Sequence, residues 1–220
     1  MKHLTRAIAP LVLLTLLGTT AQADTLGPSA REERGYITRL SKGLMELGLD
    51  SLVVWTSRSI TVNDVKASSS ELTLSVGPTF RYFVVDNLGV SLNVNALVTR
   101  RNPGDEAVTE FGVLALVDVD YYVSLGKGMF FKPGVGGGGF FKTRSEVVDP
   151  AQPSVKQSFN TTGGAFRVQL GFVYYTSPKF NLRASLDFLG QFGTTKSDNV
   201  PDQSLFQMDL GWNVGAAMVF

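Results

Sequence analysis

Asp118 and Asp120 sit two residues apart in the run VDVDY, and a carboxylate pair is the smallest kit for general acid–base chemistry. The rest of an active site is missing around them. The only histidine is His3 and there is no cysteine, so the chain beyond residue 3 offers no imidazole base, no thiol nucleophile and no usual zinc ligand set. On a strand, residues two apart share a face. The pair then reads as salt-bridge partners for cations on neighbouring strands. Further ionic residues recur at strand spacing: Arg81, Glu110, Lys132, Lys142, Arg167, Arg183, Asp187 and Asp209. Gly136 to Gly139 form a glycine run, but no Lys-Ser/Thr and no helix pattern follow, so it is not a phosphate loop. The reading is a non-enzyme with no cofactor and no metal.

The elements that carry these residues alternate apolar and polar positions over eight segments, about 46–56, 71–84, 88–100, 110–124, 129–143, 163–176, 181–192 and 204–220. In the last, Phe206, Met208, Leu210, Trp212, Val214, Ala216, Met218 and Phe220 take one face. Asp86-Asn87, Gly126-Lys127-Gly128 and Ser177-Pro178-Lys179 are tight turns. Residues 57–70, 101–109, 144–162 and 193–203 read as longer polar loops. Alternately short and long connections between eight strands predict an all-β, antiparallel, up-and-down transmembrane barrel. The apolar faces carry no charge. The polar faces are rich in Gly, Ser, Thr, Asn and Gln, which suit a narrow interior better than a water-facing surface. Aromatics fall near the segment ends, with Tyr82, Tyr121, Phe131, Tyr174 and Phe220 at the turn end. Trp55, Phe111, Phe141, Phe166, Phe192 and Phe206 stand at the loop end, which suggests two interfacial girdles.

Compartment is read from the start of the chain. Lys2 and Arg6, an apolar run from Ile8 to Gly18, and Ala21-Gln22-Ala23 make a secretory signal peptide, residues 1–23, cleaved after Ala23. Its removal leaves 18 basic residues against 19 acidic ones, so the net charge passes from +1 to −1 and nucleic acid is not an expected partner. Residues 24–45 do not alternate and form an N-terminal periplasmic extension. Ser29-Ala30-Arg31-Glu32 is a capping box, Gly43 is a helix terminator, and Ile37, Leu40 and Leu44 share a helical face. The extension is expected as a mobile leader, with a short helix tucked at the barrel mouth as the sharper alternative. Residues 46–220 form the barrel domain.

The stretches ELGLDSLVVWTS (46–57), LSVGPTFRYFVVDNLGVSLNV (74–94) and GVGGGGFF (134–141), with the terminal AMVF, resemble the small bacterial outer-membrane β-barrel family of OmpA-type and OmpX-type domains. The resemblance covers about 46–220. It implies residence in the outer membrane as a monomer. The implied partners are membrane lipid, lipopolysaccharide, the barrel-assembly machinery and periplasmic chaperones. Aromatic and apolar residues at every second position back from Phe220 (Met218, Ala216, Val214, Trp212) resemble the assembly signal of such barrels. Inward charges are expected to pair into a polar lattice that plugs the lumen, with Asp120 near Lys132 and Glu110 near Lys142. Glycines 134, 136 and 138 either leave room for a solute path or accommodate bulky Arg81, Arg167 or Tyr175. The function expected is structural or surface-interacting. A small-solute transport or ligand-binding barrel is the alternative, and a soluble exported lipocalin-like binder the second.

Overall fold

The computed structural model describes residues 31–33, 36–62, 65–102, 108–147, 156–197 and 200–220. The signal-peptide reading of 1–23 and the capping residues Ser29 and Ala30 lie outside them. Strands β1 (Arg31–Glu33) and β2 (Tyr36–Arg39) make a small hairpin. The others are β3 (Met45–Val62), β4 (Val65–Val85), β5 (Leu88–Asn102), β6 (Val108–Tyr121), β7 (Val123–Gly126), β8 (Met129–Val147), β9 (Lys156–Ser177), β10 (Phe180–Ser197) and β11 (Val200–Val219). All pairings are antiparallel, and apart from β6 with β8 and β11 with β3 they join neighbours in sequence. β11 returns to β3, which closes the ring. β6 and β7 are one barrel strand. From Glu110 to Ser124 both hold the same register against β8; the ladder is interrupted at Tyr121 and Tyr122, the Tyr122 N–H donating to Asn87 O (2.8 Å), and shifts between Ser124 and Gly126. The result is an eight-stranded barrel.

The register fixes its shape. Phe83 N–H donates to Leu44 O (2.9 Å). From Phe83 the Cα partners run through Gly89, Asp120, Gly134, Gln169, Asp187 and Gly211 to Val54. One circuit therefore advances ten residues, from 44 to 54, and such a stagger tilts the strands by ~40° to the axis.

The strands outrun the segments legible in the sequence. β3 and β4 pair as far as Val62↔Val65, and β10 and β11 as far as Ser197↔Val200. The reading of 57–70 and 193–203 as long loops is therefore corrected: most of these residues are ladder. The backbone pairing continues there although the sequence no longer alternates apolar and polar residues, the pattern that marks a strand with one face against a core.

The charge-free faces point outward. Phe206 and Trp212 are 70% and 69% exposed, and Leu47, Val94, Val117, Leu170, Phe172 and Val214 also face out. The polar faces point inward and are buried. This is the reverse of a cavity-lining apolar face. Met45 and Trp55, outward at opposite ends of the apolar band, are ten steps apart, ~33 Å along the strand and ~25 Å along the axis, the height of a lipid-facing band.

The N-terminal extension is tucked at the barrel mouth, as the sharper alternative had it, but not as a helix. No described part of it is helical. After the β1–β2 hairpin the chain crosses the tight-turn end of the barrel, turns at Lys42-Gly43 with Gly43 at φ 90°, and enters β3. Ile37, Leu40 and Leu44 are all buried, against Phe83, Tyr122, Phe130, Tyr175 and Val219. The spacing that mimics a helix face is that of a bent extended segment whose apolar residues drop into one opening.

Candidate functional site

The interior of the barrel is the candidate site, and its side chains stratify. Next to the crossing segment lies the apolar layer just described. Phe83, Tyr122, Phe130 and Tyr175 follow each other with ring centroids 5.2, 6.2 and 5.6 Å apart. Each occupies an inward position of its strand, so the same alternation that turns charges inward turns these rings inward.

Beneath it is an ionic lattice. Arg81 from β4 donates through Nη1 to Glu46 Oε2 (2.7 Å) and through Nη2 and Nε to Asp120 Oδ2 (2.7 and 3.0 Å). Glu46 also accepts from Tyr175 Oη (2.5 Å) and Asn181 Nδ2 (2.9 Å), which joins four strands at one carboxylate. Arg167 donates to both oxygens of Asp118, with Nε 3.0 Å from Oδ1, and its Nη1 lies 3.5 Å from Asp187 Oδ2. Lys132 Nζ donates to Gln169 Oε1 (2.5 Å) and stands 3.7 Å from Asp120 Oδ1. Arg183 Nε is 3.4 Å from Asp50 Oδ1. All these groups are buried. Charges taken out of water must be paired and hydrogen-bonded, and the planar forks of arginine do this for two carboxylates at once.

The glycine run is explained by the same lattice. A Cβ on Gly134 would strike Asp120 Oδ1, and one on Gly136 would strike Asp118 Oδ1. At these two positions the adjacent strand's carboxylates take the space, not Arg81, Arg167 or Tyr175, and a Cβ on Gly138 would strike the backbone oxygen of Ala115. Around Asp50, Lys132, Arg183, Ser185 and Asn213 a cavity of about 10 Å³ remains, room for roughly one water.

A second apolar layer follows toward the loop end, with Leu52, Val54, Leu97, Leu114, Leu116 and Phe140 among its members and Leu205 packed on it. Beyond it lie the outer polar groups. Glu71 pairs with Arg101 (3.0 Å) and accepts from Gln207 Nε2 (3.2 Å), which also donates to Asp209 Oδ2 (2.7 Å). Here Glu110 and Lys142 stand diagonal to each other across β6 and β8, one of the two placements expected. The register sets Glu110 opposite Arg144 and Gly112 opposite Lys142, so the ion pair is Glu110–Arg144 (3.8 Å) and Lys142 lies over the Phe140 ring (5.5 Å).

Of the C-terminal residues, Trp212, Val214 and Phe220 are exposed on the outer face and Ala216 and Met218 partly so. The chain end is held by reciprocal bonds, Phe220 N–H to Met45 O (2.9 Å) and Met45 N–H to Phe220 O (3.1 Å). Asp118 and Asp120 share the inner face, each clamped by an arginine. Among the described residues no cluster of His, Cys, Asp and Glu is arranged to hold a metal ion.

The crossing segment is tied to the Asp86-Asn87 turn. Asp86 accepts from Lys42 N–H (2.8 Å) and pairs with Arg39. Asn87, at φ 61°, accepts from Leu40 N–H through Oδ1 (2.9 Å), and its own N–H donates to Leu40 O (2.8 Å). The Lys42 amide, with the Arg39 guanidinium behind it, holds the Asp86 carboxyl below the usual carboxylate range. A depressed pKa stabilises the docked form above the undocked group's pKa, and the effect is lost as pH falls through the docked value. Amide hydrogen exchange at Leu40 and Lys42 should therefore speed up below pH ~4, relative to exchange elsewhere in the barrel, with no such change between pH 5 and 8.

No protein-family model matches the chain, and no curated protein does. Solved structures are similar to it. The N-terminal β-barrel domain of Pseudomonas aeruginosa OprF is 14% identical with a TM-score of 0.47, over 82% of this chain and 100% of that one. The outer membrane protein OprG from Pseudomonas aeruginosa is 16% identical with a TM-score of 0.49, over 82% and 97%. Ail, the attachment invasion locus protein of Yersinia pestis, is 15% identical with a TM-score of 0.43, over 81% and 99%.

Proposed function

We propose that the chain is a bacterial outer-membrane β-barrel with a structural or surface-interaction role, its lumen closed by the ionic lattice. The observation that carries the membrane reading is the inside-out surface. Charged groups are buried within while Leu, Val, Phe and Trp face outward from every barrel strand. Soluble monomers rarely expose contiguous apolar patches beyond a few hundred Å². A closed barrel also leaves no unpaired edge along the wall, as a hydrocarbon environment requires. Lipid is then the solvent of the outer face, and lipopolysaccharide, periplasmic chaperones and the assembly machinery are partners of a monomer exported through a cleaved signal.

The closed-lumen reading rests on the two apolar layers that flank the lattice and on carboxylates seated against the glycine wall. Purified protein in planar bilayers should show no stable open state. A reproducible conductance of nanosiemens size would replace the structural role with solute transport. Insertion in the same preparation is scored separately, by heat-modifiable gel migration.

A further inference from the structure

We propose that residues 37–44 are a latched stopper that seals the tight-turn mouth of the barrel and can leave it without unfolding the wall. The wall shows what the segment is for. Phe83, Phe130, Val173 and Val219 come from four different strands, point into the mouth, and are at most 7% exposed. With residues 37–44 withdrawn, this ring would line a water-filled opening, a costly arrangement for aromatic and aliphatic groups. Ile37, Leu40 and Leu44 cover it.

The attachment is modular. Only its last two residues meet the wall ladder, where Phe83 N–H donates to Leu44 O (2.9 Å). Several of its polar contacts meet at one turn, through Asp86 with Lys42 N–H and Arg39 and through Asn87 with Leu40, and Gly43 N–H adds a bond to Phe83 O (2.8 Å). The landing surface exists only once β4, β8, β9 and β11 are side by side. The stopper thus seats after the barrel has closed, and its release exposes the lattice from one side alone, since the second apolar layer around Leu114 lies beyond.

The chain has no cysteine, which makes the test direct. Val173→Cys places a thiol of similar size beneath the stopper. A membrane-impermeant, charged thiol reagent is applied to the full-length protein in detergent micelles. Labelling should be slow in Val173→Cys alone. It should be about 100-fold faster when Leu40→Asp is added, because a buried carboxylate unseats the segment and raises the population of the open mouth. Leu114→Cys in the same Leu40→Asp background should remain protected, and heat-modifiable migration should be unchanged. Equal protection of Val173→Cys with and without Leu40→Asp overturns the stopper, as does rapid labelling of Val173→Cys in the otherwise intact chain. Simultaneous exposure of Leu114→Cys also overturns it, because the segment would then be a stability element of the whole barrel. The inference rests on the closed-lumen reading only for its consequence. A conducting wild-type protein with a protected Val173→Cys would refute that reading and leave the stopper standing.

Discussion

Arg81→Met should lower the unfolding free energy of the barrel by about 3–5 kcal/mol, the largest loss expected from any single lumen substitution. Arg81 is 2% exposed and lies between Glu46 (1%) and Asp120 (0%), with Tyr122 under its guanidinium at 5.7 Å. Methionine approximates the length and apolar stem but brings no charge. Two carboxylates would then face a space from which water is largely excluded. Glu46 would retain Tyr175 and Asn181, and Asp120 would retain Lys132. Those partners limit the penalty but do not remove it. The triple variant Arg81→Met, Glu46→Gln, Asp120→Asn is the decisive comparison. A buried ionic group replaced as a whole is often neutral in stability, whereas one partner removed alone is costly. Urea unfolding in lipid vesicles should place the triple variant well above the single one. A loss below 1 kcal/mol for Arg81→Met would mean that water reaches the lattice freely, and the closed lumen would have to be abandoned.

The same residues show where sequence reading succeeds and where it stops. Strand parity is a property of single residues, so it told which side chains of β5, β9 or β11 would face in. It placed Arg81, Asp120, Arg167 and Asp187 inside without any knowledge of their neighbours. Pairing is a property of two strands. Glu110 meets Arg144 because the β6–β8 register is set by the geometry of the turn and by the register shift between Ser124 and Gly126, which no local pattern announces. The inward apolar groups Leu52, Leu97, Leu114 and Phe140 were available at the same parity. They escape notice because an apolar residue on a mostly polar face reads as noise until its partners on other strands are known. The segment 37–44 misled for a different reason. Spacings of three and four satisfy a helix face, yet they also satisfy a bent segment with one turn. The choice was made by a docking surface contributed by residues far away in sequence.

The C-terminus is where a small chemical change should have the greatest effect on the assembled protein. Deleting Phe220 removes both hydrogen bonds to Met45 at the closing seam and the terminal aromatic. The amount of barrel inserted in cell envelopes, scored by the heat-modifiable band, should fall by about 10-fold or more. Side-chain contact does not account for such a drop, because Phe220 is 45% exposed on the outer face and a half-buried phenylalanine contributes only ~1 kcal/mol. Phe220→Ala separates the two causes. It keeps the backbone bonds that close β11 on β3, and it loses the ring that a receptor for the C-terminus would read. If the terminal residues are an assembly signal, Phe220→Ala should lose most of what the deletion loses. Phe220→Trp should insert nearly as well as the parent chain, and unfolding of already inserted Phe220→Ala should differ little from it. Normal insertion of Phe220→Ala beside failure of the deletion would assign the effect to closure of the seam, and Trp212, Val214, Ala216 and Met218 would then be lipid-facing wall and nothing more.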